Sequence, residues 1–166
     1  MIDAKVSARK AVSAGWHLAQ VNVARMRAPL EDPVMSAFVE QLDFVNALAD
    51  RSPGFVWRLQ TESGNATDVR AYEDALILFN VSVWESLEAL RAYVYGSAHR
   101  EPLRERKQWF VPMDTAHLAL WWVPAGHRPS VEEATERLEH LRRHGPGPTA
   151  YSFAKAFDPP AALSQG

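Results

Sequence analysis

Two amides and a hydroxyl lie on predicted strands among large apolar side chains, where a polar group needs a partner. Asn22 lies in the first predicted strand, and Asn80 and Ser82 lie in the third. Because side chains of a strand alternate between its two faces, Asn22 shares a face with Leu18, and Asn80 and Ser82 share a face with Trp84. We predict that Asn22 and Asn80 are catalytic and that Ser82 and Trp84 contact substrate, because preorganised donors in a dry pocket stabilise a carbonyl or enolate oxygen. The alternative is that the polar groups bond one another or backbone groups.

A histidine near a predicted helix break is the candidate acid or base. His99 follows Gly96 and precedes Pro102, two residues that bend or interrupt a helix. Imidazole can accept a proton near neutral pH or bind a metal. We predict that His99 takes a proton from the substrate; the alternative is that it only caps or bonds the bent helix.

Arginines beside aromatic residues are candidate substrate contacts. Arg58 follows Trp57, and Arg106 precedes Trp109 by less than one helical turn. A guanidinium can pair with a substrate carboxylate or stack on an aromatic ring. Arg58, Arg106 and Trp109 are therefore predicted to bind substrate, whereas ion pairs with Asp or Glu would give the arginines a structural role.

Composition excludes several classes of protein. The 166 residues include no cysteine, which removes disulfides, thiolate metal sites and thiol nucleophiles. The net charge is −2 with no basic stripe, so nucleic acid and anionic membranes are not expected partners.

Apolar runs are of strand length, and the first residues lack a secretory signal, so we expect a cytoplasmic protein. The histidines at 17, 117 and 127 have no short ligand spacing, and no metal site is predicted.

The order of predicted elements is that of a ferredoxin-like domain with a C-terminal αβ extension. We predict strands at 16–24, 55–60, 76–84, 117–123 and 151–157, and helices from Pro33 to the stop at Ser52, from Ser86 to Phe110 with a bend or restart, and from Ser130 to His144. The order βαββαβ followed by an αβ pair indicates an α+β fold with an antiparallel sheet. Residues 15–159 are predicted to form one domain, with flexible ends at 1–14 and 160–166.

The last predicted helix begins with a capping box and has a charged outer face. Ser130 and Glu133 form the box, and Glu133 with Arg137 and Glu139 with Arg143 are spaced for ion pairs. Its apolar stripe is narrow, so we expect this helix to contribute to stability more than to pocket chemistry.

The strands carry apolar residues on both faces, which bears on assembly. Helices of a ferredoxin-like domain cover one face, which leaves the other in need of cover. We predict a homodimer in which two sheets meet face to face as a dimeric α+β barrel.

Several segments together resemble one bacterial family. They are 16–22, 54–60, 80–86, 99–110 and 121–127. In this order they resemble the family known as domain of unknown function 3291, over roughly 15–159. The resemblance implies the dimeric α+β barrel superfamily, which includes cofactor-free quinone monooxygenases, haem-degrading monooxygenases, muconolactone isomerase-like enzymes and small-ligand binding proteins. It implies no particular reaction.

Three functions remain open at this point. The first is a cofactor-free monooxygenase or an isomerase or cyclase acting on a flat apolar organic ligand. The second is haem binding or degradation through His99. The resemblance implies this because haem-degrading members use a first-strand Asn, a second-helix Trp and a second-helix His. Asn22 and His99 match two of these residues. The position of the Trp falls near Ala89, so the sequence departs from the pattern there, which weakens the haem alternative. The third is a non-catalytic ligand-binding or interaction module.

Overall fold

A five-stranded antiparallel sheet forms the centre of the computed structural model, which describes residues 15–61, 64, 67, 69–96 and 106–160. The strands are β1 (Trp16–Met26), β2 (Phe55–Arg58), β3 (Ile77–Trp84), β4 (Phe110–Val111) and β5 (Leu118–Pro124). β1 pairs with β3 on one side and with β5 and β4 on the other, and β2 lies outside β3. The order β2-β3-β1-β5 confirms the predicted ferredoxin-like sheet.

Four α-helices accompany the sheet within the described residues. They are α1 (Ser36–Asp50), α2 (Leu87–Tyr95), α3 (Arg106–Trp109) and α4 (Val131–His144), and a short 3-10 helix at Pro33–Met35 precedes α1. The Asp32 carboxylate accepts a hydrogen bond from the Val34 N–H at 2.9 Å, and the Ser86 hydroxyl accepts one from the Ala89 N–H at 3.1 Å. Both predicted helix starts are therefore confirmed, because these side chains satisfy amides that have no partner in the first turn.

The first two helices cover one face of the sheet. Leu18 and Trp84 on that face pack with Ala49 of α1 and Leu90 of α2 in one buried cluster. The strand that carries Leu18 also places its polar side chains on this face. The helix-covered face is therefore both apolar and polar, as the alternation in the sequence predicts.

The opposite face of the sheet is covered by α4 of the same chain. Val21, Val81 and Trp121 are 0% exposed and pack in one cluster with Ala134 and Leu138 of α4. The sheet-to-sheet homodimer was predicted because this face needed a cover from outside the chain. α4 supplies that cover, so the structure removes the reason for expecting this interface, and the homodimer itself stays a prediction.

α4 begins as predicted but pairs its charges differently. The Ser130 hydroxyl accepts a hydrogen bond from the Glu133 N–H at 3.0 Å. The Glu133 carboxylate lies 2.7 Å from His127, and that of Glu139 lies 2.7 Å from Arg142. The pairs predicted from four-residue spacing were therefore wrong, since a loop residue and a three-residue spacing supply the partners.

The predicted fifth strand was also wrong. Tyr151 forms a single antiparallel bridge with Leu120, and Ser152 bridges back to Lys155 in a tight turn. This segment continues as a loop, and the Phe157 carbonyl accepts a hydrogen bond from the Trp122 indole at 2.8 Å. The part of the predicted second helix that follows the gap in the described residues is helical at Arg106–Trp109 (α3). Phe110, predicted to lie in that helix, instead begins strand β4, because it pairs with Met26 of β1. Residues 97–105, with His99, lie outside the described residues, as do 1–14 and 161–166.

Candidate functional site

The register between β1 and β3 places four polar side chains in adjacent positions. Gln20 is opposite Ser82, and Asn22 is opposite Asn80. Because each pair is directly cross-strand and the two pairs are two residues apart, all four share the helix-covered face. Gln20 is 3% exposed and Ser82 is 6% exposed, so polar atoms here cannot rely on bulk water.

Hydrogen bonds join these four side chains into one network. The Gln20 amide nitrogen Nε2 donates to Ser82 Oγ at 2.7 Å and to Asn80 Oδ1 at 2.8 Å. The Asn22 nitrogen Nδ2 donates to Gln20 Oε1 at 2.9 Å and to Asn80 Oδ1 at 3.4 Å. The Trp84 indole N–H donates to Ser82 Oγ at 2.8 Å. The alternative weighed from sequence, that the polar residues bond one another, therefore describes much of what they do.

The network still leaves bonding capacity unused. Ser82 Oγ accepts two hydrogen bonds, which occupy its two lone pairs. Its own O–H proton has no acceptor among the described residues. The Asn80 side chain accepts hydrogen bonds at its carbonyl oxygen only, so both protons on Nδ2 remain available to a ligand. The Asn22 side chain donates from its nitrogen only, so its carbonyl oxygen remains available as an acceptor. This group of atoms offers a ligand two neighbouring donors and one acceptor.

A cavity of about 320 Å³ lies between this face and helices α1 and α2. All four polar residues line it, and most of the remaining wall is apolar, including Phe38, Leu42, Leu78, Leu90, Phe110 and Leu118. A few polar groups in an otherwise apolar concavity are typical of small-molecule sites, whose volumes are about 300 to 1,000 Å³. At about 320 Å³ this cavity is at the small end of that range, so a small organic molecule fits it better than a large one.

Aromatic rings form one wall of the cavity. Trp84 is 1% exposed and stacks on Tyr93 with ring centroids 5.0 Å apart, and Phe55 contacts the same indole edge-on at 5.5 Å. Burial has the largest effect on the pKa of Tyr93 and raises it, and the nearby Asp50 carboxylate raises it further. The Arg58 guanidinium lowers the pKa, and the result is a pKa of about 12. Tyr93 is therefore a neutral phenol at physiological pH. Trp84 lines the cavity and donates its indole N–H to Ser82, and its predicted contact with substrate stays a prediction.

Arg58 lines the cavity with its charge already paired. Its Nε donates to one Asp50 carboxylate oxygen at 2.8 Å, its Nη2 to the other at 3.3 Å, and its Nη1 to the Gly64 carbonyl at 2.7 Å. This fork joins α1 to the segment after β2, in a geometry typical of a structural arginine. The structure therefore favours the structural alternative for Arg58, and its predicted substrate contact stays a prediction.

The two predicted contacts around α3 have different surroundings. Arg106 is exposed and lines the cavity. Trp109 is 2% exposed and packs in a separate buried cluster with Met26 and Met35, and its ring lies 5.7 Å from that of Phe38, which lines the cavity. Trp109 is therefore buried behind residues of the cavity wall and does not itself line the cavity, and its predicted contact with substrate stays a prediction.

His99 lies outside the described residues, so its predicted place beside Asn22 and Asn80 is not tested. Among the residues that the structure does describe, no three His, Asp or Glu side chains are grouped closely enough to hold a metal ion. None of the helices in the described parts is long and apolar enough to cross a membrane.

Gln20 is the site residue that the sequence did not single out. It is the only member of the described network that bonds to three partners, Asn22, Asn80 and Ser82. Its position on the same strand face as Asn22 was a signal, but the residue opposite it is known only once the strand register is known.

The fold and site together define a ferredoxin-like α+β protein with a small, polar-edged apolar cavity. Residues 17–165 match the family described as domain of unknown function (DUF3291), and the chain belongs to this family. No curated protein is significantly similar to the chain.

Solved structures similar to this chain are distant in sequence. One is SnoaB, a cofactor-independent oxygenase from Streptomyces nogalater, at 14% identity over 68% of this chain and 95% of that chain, with a TM-score of 0.45. Another is a protein of unknown function from Nitrosomonas europaea, at 11% identity over 70% and 97% of the two chains, with a TM-score of 0.45.

Proposed function

We propose that the cavity binds a flat, mostly apolar organic molecule through a carbonyl oxygen and that the protein is a cofactor-independent enzyme acting through the enolate. The observation that carries the proposal is the unused donor set in the buried wall, the Ser82 O–H and the Asn80 Nδ2–H groups. Donors held by other hydrogen bonds need little reorganisation to stabilise an oxygen that gains negative charge.

The chemistry requires a base as well as these donors. Removal of a proton from the carbon beside the carbonyl places the electron pair on the oxygen, where Ser82 and Asn80 would stabilise it. His99 is the base predicted from the sequence. Return of the proton to another carbon gives isomerisation, whereas reaction of a methylene enolate with dioxygen, followed by loss of water, gives a new carbonyl.

A second candidate is a binding module without catalysis. It is favoured by the extent to which Gln20, Asn22, Asn80 and Ser82 already bond one another, since such a network also stabilises a fold with no substrate. The haem alternative keeps only its sequence support, because the Asn22 nitrogen is bonded to Gln20 and His99 is outside the described residues.

A ketone and its hydrocarbon counterpart test the proposal. 2-Tetralone and tetralin have the same two-ring skeleton, and only the ketone has an oxygen for the donors. We expect calorimetry to show tighter binding of 2-tetralone, and NMR in deuterated water to show protein-catalysed exchange of its protons beside the carbonyl.

Variants assign these effects to the site. Ser82→Ala removes a proposed donor and should slow the exchange by about 10² to 10³-fold, as loss of one oxyanion donor does. Ser52→Ala, a half-buried serine outside the cavity, should not change the rate. Binding without exchange would support the binding module, and absence of both would reject the proposal.

A further inference from the structure

The charge of the cavity wall bears on the class of ligand. Among the described residues that line the cavity, two are arginines, Arg58 and Arg106, and none is an aspartate or glutamate. The Arg58 guanidinium is paired with both oxygens of Asp50, which lies beside the cavity wall. Among the described lining residues, the charged side chain without an ion pair is therefore that of Arg106, and the lining also includes the imidazole of His117.

Among the described residues, the neighbours of Arg106 add positive charge. Within the described residues Arg106 makes no ion pair, and Lys107 next to it is also exposed. The Arg27 guanidinium donates a hydrogen bond from Nε to the Lys107 carbonyl at 2.8 Å. Arg27 is therefore a third cation beside α3, after Arg106 and Lys107. A group of like charges at a cavity edge favours an anion there.

The cavity wall thus includes two chemically different kinds of polar group. Gln20 and Ser82 are buried neutral groups on the sheet, and Arg106 is an exposed cation. Apolar side chains such as Leu78 and Phe110 line the wall as well. A ligand that matches the cation and the apolar wall needs an apolar body and a carboxylate or similar acid.

We infer that the substrate is an organic acid whose anionic group is bound by Arg106 at the cavity mouth. The inference rests on the proposed function, because it assumes that the cavity binds a small molecule. Arg106 is then a specificity residue that selects acids over neutral molecules of the same shape. A partly exposed guanidinium–carboxylate contact of this kind changes affinity by about three- to tenfold.

Two probes of similar shape test the inference by calorimetry near neutral pH. 2-Naphthoate carries the acid, and 2-acetonaphthone replaces it by a neutral methyl ketone. We expect Arg106→Gln to weaken binding of 2-naphthoate by about three- to tenfold, with a smaller loss in Arg106→Lys, and to change binding of 2-acetonaphthone less than about twofold. Lys107→Gln is the matched control, because it removes the same charge from the next residue, which does not line the cavity.

Each outcome separates the inference from the proposed function. Loss of 2-naphthoate affinity in Arg106→Gln alone supports the inference. Equal losses in Arg106→Gln and Lys107→Gln would overturn the contact with Arg106, because they would show only a general effect of charge. Similar binding of both probes, unchanged in Arg106→Gln, would overturn the acid class and leave the cavity as a binding site. Failure of both probes to bind would overturn the inference and the proposed function together.

Discussion

The side-chain nitrogen of Gln20 lies 2.7 Å from the hydroxyl oxygen of Ser82 and links the two central strands on their helix-covered face. The bond determines what the site can offer, because Ser82 accepts it together with one from Trp84 and keeps its proton for another acceptor. In the proposed site Gln20 is therefore a positioning residue, because its amide occupies the acceptor atoms of Ser82 and Asn80 and leaves their donors for a ligand.

Replacement of Gln20 should destabilise the protein. Gln20→Leu removes the partner of three polar side chains in a buried region, and an unsatisfied buried group costs about 1 to 3 kcal/mol. Urea unfolding should show a loss of stability in this range. Gln60→Leu, the same change at an exposed position, should alter the free energy of unfolding by less than about 0.5 kcal/mol. Equal small effects would show that the network contributes little.

The packing of α4 gives a second prediction. Leu138 is 0% exposed in the cluster between α4 and the sheet, so Leu138→Ala should cost about 2 to 5 kcal/mol of stability. Glu136→Ala, on the exposed side of the same helix, is the control and should change stability by less than about 0.5 kcal/mol. At a temperature where Leu138→Ala is folded, its affinity for 2-tetralone should equal that of the parent, since α4 lies on the other face. Loss of affinity in a folded variant would contradict the separate role of α4.

Tyr93 gives a prediction about pH. The pKa of Tyr93 is raised from 10.0 to about 12 in the folded protein, chiefly by burial, so its contribution to stability is complete below about pH 10 and is lost as the pH rises toward 12. Below pH 10, Tyr93→Phe should be less stable by about 1 kcal/mol, because it loses the hydrogen bond from the hydroxyl to the Val45 carbonyl. This difference should shrink between about pH 10 and 12 in urea unfolding experiments. A constant difference would mean that the phenol ionises as readily in the folded as in the unfolded chain.

The sheet and the helix starts could be predicted because they depend on local patterns. Period-two alternation identified β1, β3 and β5, and side chains such as Asp32 and Ser130 cap helices through hydrogen bonds a few residues away. The segment after Tyr151 has the alternation of a strand, but only a single bridge to Leu120 forms. Alternation indicates where a strand is possible, and pairing decides whether it forms.

Contacts between distant segments could not be predicted from the sequence. The pairing of Arg58 with Asp50 and the cover that α4 gives to Trp121 both depend on tertiary packing. Gln20 was missed for the same reason, since its importance comes from the register that places Ser82 opposite it.

The amide protons of Asn80 provide the most direct test of the proposed site. Asn80 Nδ2 has no acceptor among the described residues, and the residue lines the cavity. In a ¹⁵N NMR spectrum, addition of 2-tetralone should shift the side-chain NH₂ signals of Asn80, as a carbonyl oxygen accepts a hydrogen bond from them. Tetralin should shift them much less, and neither compound should shift the signals of exposed Gln60. Binding of 2-tetralone with no change at Asn80, or with the same change as tetralin, would contradict carbonyl recognition by this network.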